Sequence, residues 1–259
     1  MRIVALGASN LTRGLQAVVS SARRRWGPDV EIHAALGHGR SYGAESRFVA
    51  RTLPGILQCG LWRALEQGPE APTRAVLTDV GNDVLYGHPP ARILDWVEQC
   101  VDRLRARAED VAVTDLPTFN IGRLSSAKFL LLRSAFVPSC RLSLGQVADT
   151  AERVSDGLCA LAARRDLRLV RLRPEWYGFD PIHIRPGLWR TAWAQIVCGP
   201  DEQAAAASAG EGIADGVMTG AETLRLYLML PERQRLFGVE QRTPQPGRRL
   251  HGGGRLKLF

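Results

Sequence analysis

Short apolar runs alternate with amphipathic stretches along most of this chain, and that alternation restricts its fold more than any other feature. Ile3–Leu6, Val30–Leu36, Ala75–Val80, Val111–Leu116 and Leu167–Leu172 read as strands. Between them, Thr12–Arg25 carries Leu15, Val18, Val19 and Ala22 on one stripe at helical spacing. Pro89–Ala108 does the same with Ile93, Trp96, Val97, Val101 and Leu104. Ala44–Glu66, broken at Pro54-Gly55, reads as helical, as do Ser125–Phe136, Leu144–Arg164 and Pro186–Val197. Strands that alternate with helices form a parallel sheet with helices on both faces. Crossovers between parallel strands are right-handed. The expected fold is therefore α/β: a three-layer α/β/α sandwich on a parallel five-stranded sheet, in the flavodoxin-like order 2-1-3-4-5.

After Gly199 the pattern changes. Residues 1–199 are expected to form the α/β domain and residues 200–259 a C-terminal extension. Asp201–Gly216 is rich in Ala and Gly and reads as a linker; Glu222–Leu230 reads as a short helix. The basic, Pro/Gly-rich end holds His251-Gly252-Gly253-Gly254 between two apolar-basic segments, which suggests a hairpin. Leu224, Leu226, Tyr227, Leu228, Met229, Leu236 and Phe237 would expose apolar surface if the extension hung free, so it is expected to pack back on the domain.

The net charge of +8 is spread thinly and comes almost wholly from Arg. No basic face with interleaved aromatics is visible, so nucleic acid is not expected as the ligand. No apolar stretch approaches the ~20 residues needed to span a bilayer, and Gly7 interrupts the first apolar run too early for a signal-peptide core. The expected location is cytoplasmic. The five cysteines are widely spaced with no CxxC pair and read as reduced, buried thiols. Oligomeric state cannot be read.

Four loops carry candidate chemistry. Gly7-Ala8-Ser9-Asn10-Leu11 ends the first strand. A serine there sets its hydroxyl at the sheet's carboxyl edge beside the unpaired N–H groups of a helix start, which favour negative charge. A plain helix cap is the competing role. Gly39 lies in Leu36-Gly37-His38-Gly39-Arg40-Ser41-Tyr42-Gly43, where glycine allows close approach of the backbone to a ligand, or simply a long turn. Asp79-Val80-Gly81-Asn82-Asp83 could direct an Asn amide to the same edge, or be turn chemistry alone. Asp180-Pro181-Ile182-His183 puts a carboxylate and an imidazole on one short loop, where the Asp can fix the tautomer of a His acting as base. In a 2-1-3-4-5 sheet the first three loops leave adjacent strand ends at the topological switch point, where ligands bind.

In order and spacing these blocks resemble the SGNH (GDSL-like) hydrolases over about residues 1–199. Gly7-Ala8-Ser9-Asn10-Leu11 looks like that family's Gly-Asp-Ser-Leu block, Gly39 its glycine block, Val80-Gly81-Asn82-Asp83 its Gly-x-Asn-Asp block and Asp180-Pro181-Ile182-His183 its Asp-x-x-His block. Ala8 stands where the family usually has Asp, and Val80 where it usually has Gly. The resemblance implies hydrolysis of an acyl or acetyl ester through an acyl-enzyme on Ser9, with His183 as base, Asp180 orienting it, and Ser9, Gly39 and Asn82 forming an oxyanion hole. It implies a small-molecule ester substrate, no cofactor and no metal. His33, His38, His88 and His251 show no ligand spacing.

Three rivals remain at this stage. Gly39-Arg40-Ser41-Tyr42-Gly43 matches the G-x-S-x-G elbow of α/β-hydrolases, with Ser41 as nucleophile, although only two strands precede it. Gly7 to Gly14 looks like the glycine loop of short-chain dehydrogenases, but Tyr42, Tyr86, Tyr177 and Tyr227 are followed four residues on by Ser46, Pro90, Pro181 and Pro231, never by the Lys that resemblance implies. A non-catalytic SGNH-like binding module is the third. The substrate is not legible; the Phe129–Leu132 run could wall an acyl pocket or be ordinary core.

Overall fold

A computed structural model describes residues 1–137, 140–200, 220–243 and 247–259. The chain opens with β1 (Arg2–Leu6), α1 (Ser9–Trp26) and β2 (Glu31–Ala35). A short hairpin, β3 (Ser46–Phe48) and β4 (Arg51–Leu53), precedes α2 (Leu61–Gln67) and β5 (Thr73–Leu77). Then come α3 (Gly81–Leu85), α4 (Pro90–Arg105), β6 (Asp110–Thr114), α5 (Thr118–Ile121), α6 (Ser126–Phe136), α7 (Leu144–Arg164), β7 (Arg168–Val170) and α8 (Trp189–Cys198). The last described elements are α9 (Gly220–Tyr227), β8 (Arg233–Leu236), β9 (Val239–Arg242), β10 (Gly247–Arg249) and β11 (Arg255–Leu258).

The main sheet runs β10-β11-β2-β1-β5-β6-β7. The five strands β2-β1-β5-β6-β7 are the parallel 2-1-3-4-5 arrangement expected from the alternation. The strand count needs correction from five to seven. β11 pairs parallel with β2, Leu256 opposite Ile32, and β10 closes the edge as its antiparallel hairpin partner. Two buried clusters face opposite ways because side chains alternate along each strand. Ile3 and Ala5 pack with α1 and α8, while Val4 and Leu6 pack with α2, α4 and α7. Leu226, Leu250, Leu256 and Leu258 join the first cluster and Phe259 the second, so the described part of the extension shares the core. The linker expected over 201–216 lies outside the described residues.

A second correction concerns Ala44–Glu66. Only Leu61–Gln67 is α-helical there. Ser46–Leu53 instead forms a hairpin whose turn holds Val49 at φ +55°. It joins β8 and β9 in a separate four-stranded sheet.

Packing of α1 on α8 is close because Gly14 lies against the Trp193 ring. A Cβ at position 14 would stand 1.8 Å from the Trp193 Nε1.

Candidate active site

Ser9 is the first residue of α1, directly past the carboxyl end of β1. The helix cap is Ala8, with no side-chain capping bond, so the capping role considered for Ser9 is not the one it plays. Its Oγ lies 2.9 Å from His183 Nε2 instead. His183 Nδ1 lies 2.6 Å from Asp180 Oδ2. The other carboxylate oxygen of Asp180 accepts the backbone N–H groups of Ile182 (3.1 Å) and His183 (3.2 Å). That loop geometry fixes the carboxylate against the ring. Burial pushes the Asp180 carboxyl up, but the His183 hydrogen bond and charge, with the two backbone N–H groups, hold it below its ordinary value. The His183 side chain is 5% exposed.

Two residues the sequence offered without a role hold this arrangement together. Asp79, in the left-handed region at φ +61°, accepts the N–H groups of Ala8 (2.8 Å) and Leu11 (3.1 Å) on one oxygen. Its other oxygen accepts the Asn10 side-chain amide at 2.8 Å. Asn10 then donates to the Ile182 carbonyl (2.9 Å) and accepts the Ile184 N–H (2.9 Å). One short network thus joins the end of β5, the serine turn and the histidine loop. Both residues stand inside blocks already singled out; no pattern in a single sequence distinguishes them from turn residues.

Gly39 occupies a turn at φ +67°. The Tyr86 hydroxyl donates to its carbonyl, and Tyr86 N–H donates to the Asn82 carbonyl at 3.1 Å. The glycine turn and α3 are therefore tied by one side chain. Burial, and secondarily Asp83, raise the Tyr86 hydroxyl to about 12, so it stays a donor. Among the described residues, the N–H groups of Ser9 and Gly39 and the side-chain amide of Asn82 donate to nothing. His38, beside this turn, is held neutral. Burial first, then Arg51, Arg13 and His183, lower it to about 4.

Ser41 fails as the rival nucleophile. It is fully buried, its hydroxyl donates to Asp83, and it accepts the N–H groups of Gly43 and Ala44. Asp83 also accepts the Tyr42 N–H at 2.9 Å, and burial raises its carboxyl to about 6 in spite of these bonds. The G-x-S-x-G match is a loop clamp and no histidine bonds it.

Beside Ser9 and Asn82 a cleft of about 120 Å³ runs past Leu116 to Phe129 of α6 and to Val147 and Ala151 of α7. Among the described residues, no group of His, Cys, Asp and Glu is placed to hold a metal ion. None of the helices is long and apolar enough to cross a membrane, again among those residues.

No family model matches the chain, and no curated protein matches it by sequence. Solved structures do match. Est24, a carbohydrate acetylesterase from Sinorhizobium meliloti, superposes with a TM-score of 0.54 at 16% identity, covering 80% of this chain and 100% of that one. The inhibitor-bound aryl esterase of M. smegmatis gives 0.53 at 14% identity, with 80% and 99% covered. The chain shares the fold of these esterases. Another carbohydrate acetylesterase family member from S. meliloti superposes at 0.50 and 15% identity, with 80% and 97% covered.

Proposed function

We propose that this protein is a serine esterase whose nucleophile is Ser9. The observation that carries the reading is the His183 ring between Ser9 Oγ at 2.9 Å and Asp180 at 2.6 Å. His183 Nε2 takes the hydroxyl proton as Ser9 attacks the ester carbonyl, and returns it to the departing alcohol. Asp180, bonded to the opposite ring nitrogen, holds the tautomer in which Nε2 is the acceptor and stabilises the imidazolium that forms. A water then repeats the sequence on the acyl-enzyme and releases the acid.

Negative charge on the tetrahedral oxygen needs donors fixed in advance. The N–H groups of Ser9 and Gly39 and the Asn82 side-chain amide are assigned that role, and their lack of other acceptors supports it. Tyr86 sets the Gly39 turn relative to Asn82. No metal or cofactor is assigned a part. The solved esterases that share the fold support an ester substrate.

Kinetics on p-nitrophenyl esters test the proposal. Wild type is expected to turn them over, and His183→Ala or Asp180→Ala to lower kcat by about 10⁴-fold or more. Wild type without esterase activity, or variants that keep it, would overturn the reading and favour a binding module.

A further inference from the structure

Resting on the esterase reading, we infer that the cleft beside Ser9 is an acyl pocket, and that the preferred substrate carries a straight medium chain of about eight carbons. The cleft begins at Ser9 beyond β1, crosses the ends of β5 and β6 at Asn82 and Leu116, and meets Val147 and Ala151 of α7. Two strand spacings of about 4.8 Å separate β1 from β6. An extended chain advances about 1.2 Å per bond, by the same geometry that gives a peptide its reach. About eight bonds therefore cover that span.

The lining selects hydrocarbon over sugar. Each charged group that reaches the cleft holds a partner elsewhere. Asp115 accepts the Leu172 N–H at 2.7 Å and pairs with Arg171 at 3.3 Å, and Arg133 donates to the Leu142 carbonyl at 3.0 Å. Asp79 is spent on the serine turn. Beyond Asn82, with Tyr177 and Arg133 as polar neighbours, Leu116, Phe129, Val147 and Ala151 offer apolar contact. A sugar hydroxyl placed among them would lose its water partners without replacement.

The test compares p-nitrophenyl acetate, butyrate, octanoate and laurate in wild type and in Ala151→Phe. Each buried methylene can raise kcat/KM by up to about fourfold. The expected result is an optimum at octanoate, at least tenfold above acetate, and a fall of tenfold or more in the octanoate-to-acetate ratio in Ala151→Phe. An acetate optimum in an active wild type would overturn the acyl-pocket inference while leaving the esterase reading intact. So would an unchanged ratio in a folded variant. If no ester is cleaved, the esterase reading fails, and sodium octanoate tests the cleft by itself. A rise in Tm in wild type but not in Ala151→Phe supports it, and no rise in wild type overturns it.

Discussion

Asp79→Asn replaces one oxygen by an NH2 group at a position where shape and backbone are preserved. Asn is among the residues that tolerate the φ of +61° found there, so strain is not the issue. The hydrogen bonds are. If the one oxygen left on the new side chain keeps the Ala8 and Leu11 N–H groups, its NH2 faces the Asn10 NH2, donor against donor. Turning the Asn10 amide over would relieve that clash but lose the bonds to Ile182 and Ile184. The substitution therefore breaks the network in either orientation. A hydrogen bond to a charged group is worth about 1.5–3 kcal/mol. Losing one outright and the charge on two others gives an expected loss of about 2–4 kcal/mol by that measure. For a chain of this size that lowers Tm by roughly 4–16 °C. The Ser9 turn and the His183 loop would also lose their common anchor. A displacement near 1 Å can cost about 100-fold in rate, so kcat/KM on an ester should fall by that order. Calorimetry and steady-state kinetics read both. A Tm within about 2 °C of wild type, together with near-normal kinetics, would refute the anchoring role.

Three further outcomes are expected. Asn82→Ala should lower kcat by about 10²–10³-fold with little change in KM, since the donor acts on charge that develops in the transition state; a change confined to KM would argue against it. Gly14→Ala must push α1 from α8, and should cost at least about 1–3 kcal/mol in urea unfolding; unchanged stability would mean that the two helices separate freely. His33 on β2 is buried, and burial first, then Lys257 and Arg2, lower its pKa to about 3. Its stabilising contribution is full above the unfolded value of 6.5 and is lost as pH falls toward 3. Thermal melts between those limits should therefore show wild type losing more stability on acidification than His33→Phe, and parallel curves would refute this.

The parallel sheet and the serine turn were legible because their signals are local. A strand such as Ile3–Leu6 followed by a helical stripe declares itself within one window. Asp180 and His183 share one loop and could be read as a pair. What stayed hidden depends on distant partners. Ser46–Phe48 and Arg51–Leu53 are three-residue strands with no alternation of their own, and β4 is completed by Arg235 and Leu236, far along the chain. The terminal hairpin could be suspected from its glycines. Nothing local said that Leu256 would sit opposite Ile32. Ser41 shows the converse failure: a short motif matched, but its hydroxyl closes a buried loop against Asp83. Asp79 and Asn10 look like ordinary turn residues until their partners 68 to 174 positions away are known.

The central claim is that Ser9 is an activated nucleophile, and a fluorophosphonate probe tests it most directly, because it modifies serines whose proton a neighbouring base removes. Mass spectrometry of the labelled protein is expected to find the adduct on the peptide holding Ser9, with labelling retained in Ser41→Ala and lost in a folded Ser9→Ala. An adduct on Ser41, or a wild type left unlabelled, would contradict the account.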